Sequence, residues 1–430
     1  MHSVRPRLFR ALVGRLAGGA AVALVAALLP GTTLAGADAA TPAANPDPEG
    51  TPMFATAGGV TPFRTMKTVP YWSSSFTDPT NGVTYPFTMV GSDPRGLGST
   101  TVATEIIPLQ FNFVAGNQDV SVLGLPSIGF VAHAQNVSID GSDNVADTIA
   151  SPMFTPTTFP VSGDSGVQNG DAVMREQFGK VGTGYHVVLG QPTVLDTVSI
   201  DVPQKQGVAV INSRHVLVGR VDINWFSSKI HNLISSLHID STTLPIFLTG
   251  NVVLYKLDNY LKCCVFGYHG ASAPTGNGAG STNGAGNQPV HTFIYTSYTT
   301  PRTFAGFPAA SRGISDIHGL SHEVSEWMDD PFTNNAVQPW KTPTAPQYGC
   351  TSLLETGDPV VGVWFSLPGN PNAAAGYVWH PEDEVFLNWF ARDGEDAGLR
   401  SSDGRYTYMG PLTTGIGGPY LGFAHAALGC

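Results

Sequence analysis

Charge is scarce in this chain. Only 12% of its 430 residues are Asp, Glu, Lys or Arg, and the basic ones are the minority, 21 against 32 acidic. A nucleic-acid binder shows a basic stripe or patch, which this balance excludes as an expectation. Long charged helices are missing too. There are four cysteines and no C-x-x-C spacing, so a thiolate zinc site is the weaker reading and disulfides the stronger. No G-x-S-x-G occurs, which leaves a serine nucleophile of the α/β-hydrolase type without local support. After residue 37 no long apolar run remains, so no stable membrane insertion is expected of the mature chain.

What the chain has instead is glycine, 50 residues, and proline, 33, with abundant Thr and Val. That composition predicts a turn-rich, strand-rich protein of the α+β class. Arg5, Arg7, Arg10 and Arg15 precede an apolar run from Leu16 to Leu29, followed by Ala35-Gly36-Ala37. This is the layout of a secretory signal peptide over residues 1–37, and it predicts a secreted protein, extracellular or at the cell surface. Removing it takes away four Arg and leaves a mature net charge of −15. Residues 38–60 are Ala/Pro/Gly-rich and read as a flexible leader. Of the cysteines, adjacent Cys263 and Cys264 would be strained if bonded to each other. Each is therefore expected to reach Cys350 or Cys430.

Residues 61–205 read as a β-rich domain, and 206–430 as a second domain. Alternation predicts strands at 101–113, 185–189 and 197–201, and a helix near 171–178. The second part carries strands at 208–211, 245–248 and 252–255. A helix is expected at 223–237, where Trp225, Ile230, Leu233 and Leu237 recur near the helical period. Cys264–His269 reads as one short strand, 270–288 as a Gly/Asn-rich loop, and 291–298 as a clear strand. Residues 340–350 read as loop and 381–392 as a further helix.

The chemistry concentrates in a predicted helix from about Ser315 to the stop at Pro331. There His318, His322 and Glu326 stand at successive four-residue steps, so three metal-capable side chains share one face. Glu323 follows His322 as the general base follows the first histidine of H-E-x-x-H metallopeptidases, although the fifth position here is Glu326. His322 and Glu326 are the expected metal ligands and Glu323 the expected base. The third ligand is expected from Glu355 in Leu-Leu-Glu355-Thr-Gly357-Asp358-Pro, or from Asp358. His380 and Glu384 are outside candidates. In the His318/His322 register the residue after the first histidine is Gly319, which provides no base. His318 is therefore a supporting or additional ligand. Asp330 and Asp358 are expected to orient the ligands. Zinc is the expected cation. A His/Glu/Glu set carries more negative charge than His/His/Glu, so manganese or calcium stays open.

At Ser321, His322, Glu323, Glu326, Asp330, Pro331, Glu355, Gly357 and Asp358 the chain resembles secreted bacterial zincin-like metallopeptidase relatives with a His-Glu-x-x-Glu helix. It is loosely similar to EXORDIUM-like proteins. The resemblance implies a zincin-like catalytic domain over 206–430, with a twisted sheet above an active-site helix. It also implies a metal-dependent hydrolase acting on protein or peptide substrates. The alternative is a non-catalytic extracellular or cell-surface protein on the same fold, glycan- or cell-wall-associated. Oligomeric state is not readable from the chain.

Overall fold

A fifteen-residue strand is the spine of the protein. A computed structural model describes residues 67–113, 130–133, 137–212, 215–256, 263–272, 289–301, 303, 314–342, 350–369, 377–392, 405–410 and 430. The expected signal peptide, the leader and the stretch 273–288 lie outside these residues. All described residues belong to one compact unit, Pro42–Cys430.

Strands β1 (Tyr71–Thr77) and β2 (Thr84–Val90) pair as a hairpin and lead to the spine, β3 (Ser99–Phe113). Then come β4 (Phe130–His133), β5 (Val137–Asp140), helix α1 (Val145–Ala150), β6 (Thr157–Thr158), β7 (Ser165–Val167) and α2 (Asn169–Gln177). β8 (His186–Leu189), β9 (Thr193–Val194), β10 (Val198–Val202), β11 (Gly207–Asn212) and β12 (Leu217–Asp222) precede α3 (Ile223–Ser236). β13 (Thr243–Gly250), β14 (Val252–Tyr255), β15 (Cys263–Val265), β16 (Gly267–Ser272) and β17 (His291–Tyr298) lead to α4 (His318–Asp329). The remaining elements are β18 (Ala336–Lys341), β19 (Cys350–Leu353), β20 (Leu367–Pro368), β21 (Val378–Trp379) and α5 (Leu387–Phe390).

The main sheet runs β10-β3-β13-β17-β16, with β5, β8 and β9 also on β3. β13 lies parallel to both β3 and β17, and β16 is antiparallel to β17. Side chains alternate across this sheet as a strand period of two requires. Ile106, Ile246 and Ile294 face one core, shared with α2 and α4 through Val173, Leu320, Val324 and Trp327. Ile107, Phe247 and Tyr295 face the other, shared with α3 through Phe226 and Ile230. The sheet is therefore sandwiched between helices, and α4 is pressed against β16 and β17. Trp327 fixes the contact: its Nε1–H donates to Thr292 Oγ1 on β17 at 2.9 Å. A second sheet, β15-β14-β12-β11-β4, stands beside it.

The chain is mixed α+β and strand-rich. Four expectations need correction. The division at residue 205 does not separate two bodies, because β3 from one side and β13 from the other are neighbours in the same sheet. Cys264–His269 is two strands, not one. β15 pairs with β14, β16 pairs with β17, and the chain crosses between sheets at Phe266. Trp340 belongs to strand β18, paired with β19, where a loop was expected. Only Leu387–Phe390 of the expected 381–392 helix is helical. Glu382 and Val385 are held instead in bridges to Trp364 and Thr407.

Cysteine pairing also differs from expectation. Cys350 and Cys430 are bonded to each other, with Cα atoms 5.6 Å apart. Cys264, disulfide-bonded as well, therefore reaches neither of them. The reason is topological: the strand carrying Cys264 is in the five-stranded sheet, whereas Cys350 starts the second strand of the β18–β19 hairpin.

Candidate metal centre

Helix α4 is buried along its whole length, including its polar face. His322 projects its two ring nitrogens to different carboxylates. Nδ1 lies 2.9 Å from Glu382 Oε2, and Nε2 lies 3.2 Å from Glu326 Oε2, one helical turn on. Asp358 Oδ1 is 4.0 Å from the same Nε2. His322, Glu326 and Asp358 thus present one donor atom each within 4.8 Å of one another, a spacing a metal ion can gather.

The segment Glu355–Asp358 wraps the end of Glu326. The backbone N–H groups of Gly357 and Asp358 donate to Glu326 Oε1 at 3.1 and 3.3 Å, leaving Oε2 turned to the histidine. Glycine is required at 357 by close approach. A Cβ there would lie 2.0 Å from His322 Nδ1 and 2.3 Å from Cε1. On the opposite wall, a Cβ on Gly267 of β16 would lie 2.5 Å from Glu323 Oε1. The two glycines let a loop and a sheet edge close onto the polar face of α4.

The sheet edge brings a residue that sequence reasoning missed. His269 of β16 is 1% exposed. Its Nδ1 lies 3.3 Å from Glu323 Oε2 and 3.6 Å from Glu326 Oε2. Its Nε2 faces Glu355 Oε2 at 4.0 Å. His269, Glu323 and Glu326 form a second set of donors within 4.8 Å of one another. A histidine between Tyr268 and Gly270 on a strand gives no helical spacing to notice, and only the pairing of β16 with β17 brings it over α4. Glu382 was missed for the same kind of reason. It comes from an extended segment and is anchored by donation from the Gly362 N–H and by its own N–H to Ser321 Oγ.

Of the other expected residues, His318 belongs to neither donor set. Its Nε2 is 3.3 Å from Glu382 Oε2, and its ring stacks on Phe266. It supports the carboxylate that holds His322. Asp330 does not orient a ligand with its side chain. Its carboxylate accepts the N–H groups of Asn334 and Asn335 and closes the turn after α4. His380 binds Asp316 at 2.6 Å, outside the cluster. Glu384 is buried close enough to feel the charges of His322, Glu382 and Glu326.

The electrostatics follow from this burial. Glu323, Glu326, Glu355, Asp358 and Glu382 each place a carboxylate oxygen within 4.0 Å of an imidazole nitrogen. Burial works to raise the Glu326 carboxyl, but the adjacent His322 and His269 rings outweigh it and hold it below its ordinary value. Burial likewise opposes Glu382, yet His318 and His322 pull it down to about 2. Glu355 is pushed well up by burial and by the charges of Glu326, Asp358 and Asp330. His269 is lowered to about 4, first by burial, so its ring is neutral at neutral pH. A neutral imidazole is the state in which a histidine binds metal.

A cluster of buried carboxylates is costly unless cations neutralise it. His269, neutral at neutral pH, does not supply that charge. A divalent cation fits both the donor types and the charge deficit.

Compared with family models, curated proteins and solved structures, the chain matches none.

Proposed function

We propose that this protein is a secreted metal-dependent hydrolase that cleaves protein or peptide substrates. The observation that carries it is the convergence of His322 Nε2, Glu326 Oε2 and Asp358 Oδ1 on one point, with Glu323 adjoining. His322 and Glu326 are ligands in this reading, and the third is Asp358 or Glu355. A bound divalent cation supplies a Lewis acid and a more acidic water. Zinc is the cation proposed, with manganese or calcium the alternatives for so oxygen-rich a set.

The chain's own residues divide the remaining work. Glu382 holds the His322 ring through Nδ1 and so directs Nε2 inward, an arrangement common to metal-binding histidines. The Gly357 and Asp358 amides fix one oxygen of Glu326. Glu323, next to His322 on the helix and against His269, is placed to take a proton from a water at the site. The resemblance at Ser321–Glu326 and Glu355–Asp358 supports the peptidase class. The Arg-rich, apolar and small-residue order of residues 1–37 supports secretion, as does a disulfide between Cys350 and Cys430. Among the described residues no helix is long and apolar enough to cross a membrane.

One observation favours a second reading, a non-catalytic protein with a structural metal. His322, Glu323 and Glu326 are each 1% exposed and Glu355 is 0%, whereas a catalytic metal keeps a position open to substrate.

The test is metal analysis of the protein purified without chelators, together with Glu323→Gln. A stoichiometric divalent cation, hydrolysis of an unfolded protein substrate by the wild type, and loss of hydrolysis with metal retained in the variant are expected. Metal without hydrolysis selects the structural reading. No stoichiometric metal sinks both.

A further inference from the structure

The two buried histidines of the cluster are built alike. His322 Nδ1 rests on Glu382 Oε2 at 2.9 Å, and His269 Nδ1 rests on Glu323 Oε2 at 3.3 Å. A carboxylate on Nδ1 fixes the tautomer and leaves Nε2 as the ligand nitrogen. His322 Nε2 then faces Glu326 and Asp358, and His269 Nε2 faces Glu355. Among the described residues His269 Nε2 makes no hydrogen bond of normal geometry, although the Asp330 backbone lies close enough to the ring to raise its basicity. Its separation of 4.0 Å from Glu355 Oε2 is too long for a hydrogen bond. Two donors each about 2.1 Å from a shared cation stand at up to about this distance.

Carboxylates gather at both rings: Glu326 and Asp358 at His322, and Glu323, Glu326 and Glu355 at His269. Glu326 stands between the halves. It belongs to both donor sets, with Oε2 3.2 Å from His322 Nε2 and 3.6 Å from His269 Nδ1.

We propose that His269 is a metal ligand and that the centre holds two divalent cations, one on His322 and Asp358, the other on His269 and Glu355, with Glu326 between them. The inference rests on the metal-binding reading above and extends it. Glu323 then steadies His269 as Glu382 steadies His322. Paired cations about 3.5–4 Å apart are the arrangement that clamps both the attacking and the leaving oxygen of a displacement.

The experiment is zinc and manganese titration of the whole mature protein, with stoichiometry from calorimetry and elemental analysis. Wild type is expected to bind two equivalents. His269→Ala and the milder His269→Gln are expected to bind one, and His380→Ala two. The wild type loaded with Mn(II) is also expected to show the exchange-coupled spectrum of a cation pair, a readout that does not depend on any variant folding. One equivalent in the wild type with an uncoupled six-line spectrum overturns the proposal and leaves the single-metal reading standing. Two equivalents in folded His269 variants overturn it as well. No bound cation in the wild type removes both readings together.

Discussion

Gly357→Ala is the sharpest test of how the site is assembled. The added Cβ would fall 2.0, 2.3 and 2.7 Å from Nδ1, Cε1 and Cγ of His322. The loop cannot give way without loosening the Gly357 and Asp358 amides from Glu326. The ring cannot give way without leaving Glu382, its partner at 2.9 Å. Overpacking of this kind costs about 1–3 kcal/mol. Breaking a hydrogen bond to a charged group adds about 1.5–3 kcal/mol. A total near 3–5 kcal/mol is a large share of the roughly 5–15 kcal/mol that holds a native protein together. The assay is urea unfolding followed by tryptophan fluorescence, since Trp327 and Trp389 are buried in the core. Gly96→Ala is the control: that residue is exposed, and its Cβ would meet nothing closer than 3.4 Å. The variant should unfold at a clearly lower urea concentration and lose cation affinity. A midpoint as close to wild type as the control's would show that His322 is not packed against this loop, and the described site would be wrong.

Two other outcomes follow from the structure. Burial raises Asp383 to about 7, so the folded protein keeps a proton there that the unfolded chain has released. Its contribution is fully present below pH 4 and is lost as pH rises through 7. Asp383→Asn should therefore flatten the decline of stability between pH 4 and 8 by up to a few kcal/mol; parallel pH curves for the two proteins would contradict this. The Cys350–Cys430 bond closes a loop with a sequence separation of 80. Its removal by Cys350→Ser should cost about 4 kcal/mol, measured by the same denaturant titration, and an unchanged midpoint would show that the bond does not constrain the unfolded chain.

Local pattern was enough for much of the secondary structure. The 3.6-residue period placed α3 at Ile223–Ser236, and Pro331 placed the end of α4. The strand read at 291–298 is β17, at its observed bounds. The i, i+4 pair His322/Glu326 and the later Glu355-x-Gly357-Asp358 were visible because helix spacing and a turn are local properties. In space they do meet, through the amides that hold Glu326. The expected helix at 381–392 failed because the local pattern could not show that Glu382 and Val385 were claimed by distant backbone partners.

By itself the sequence determined the class of the protein, its helix with a shared polar face, and the donor types available to a cation. It could not decide which donors face the same point. That depended on β16 pairing with β17 to carry His269 over α4, on the extended 382 segment reaching His322, and on two glycines allowing loop and sheet edge to close in. Contacts between residues 57 to 60 positions apart follow from sheet order, which the packing of two cores on one sheet fixes and no short stretch of sequence encodes.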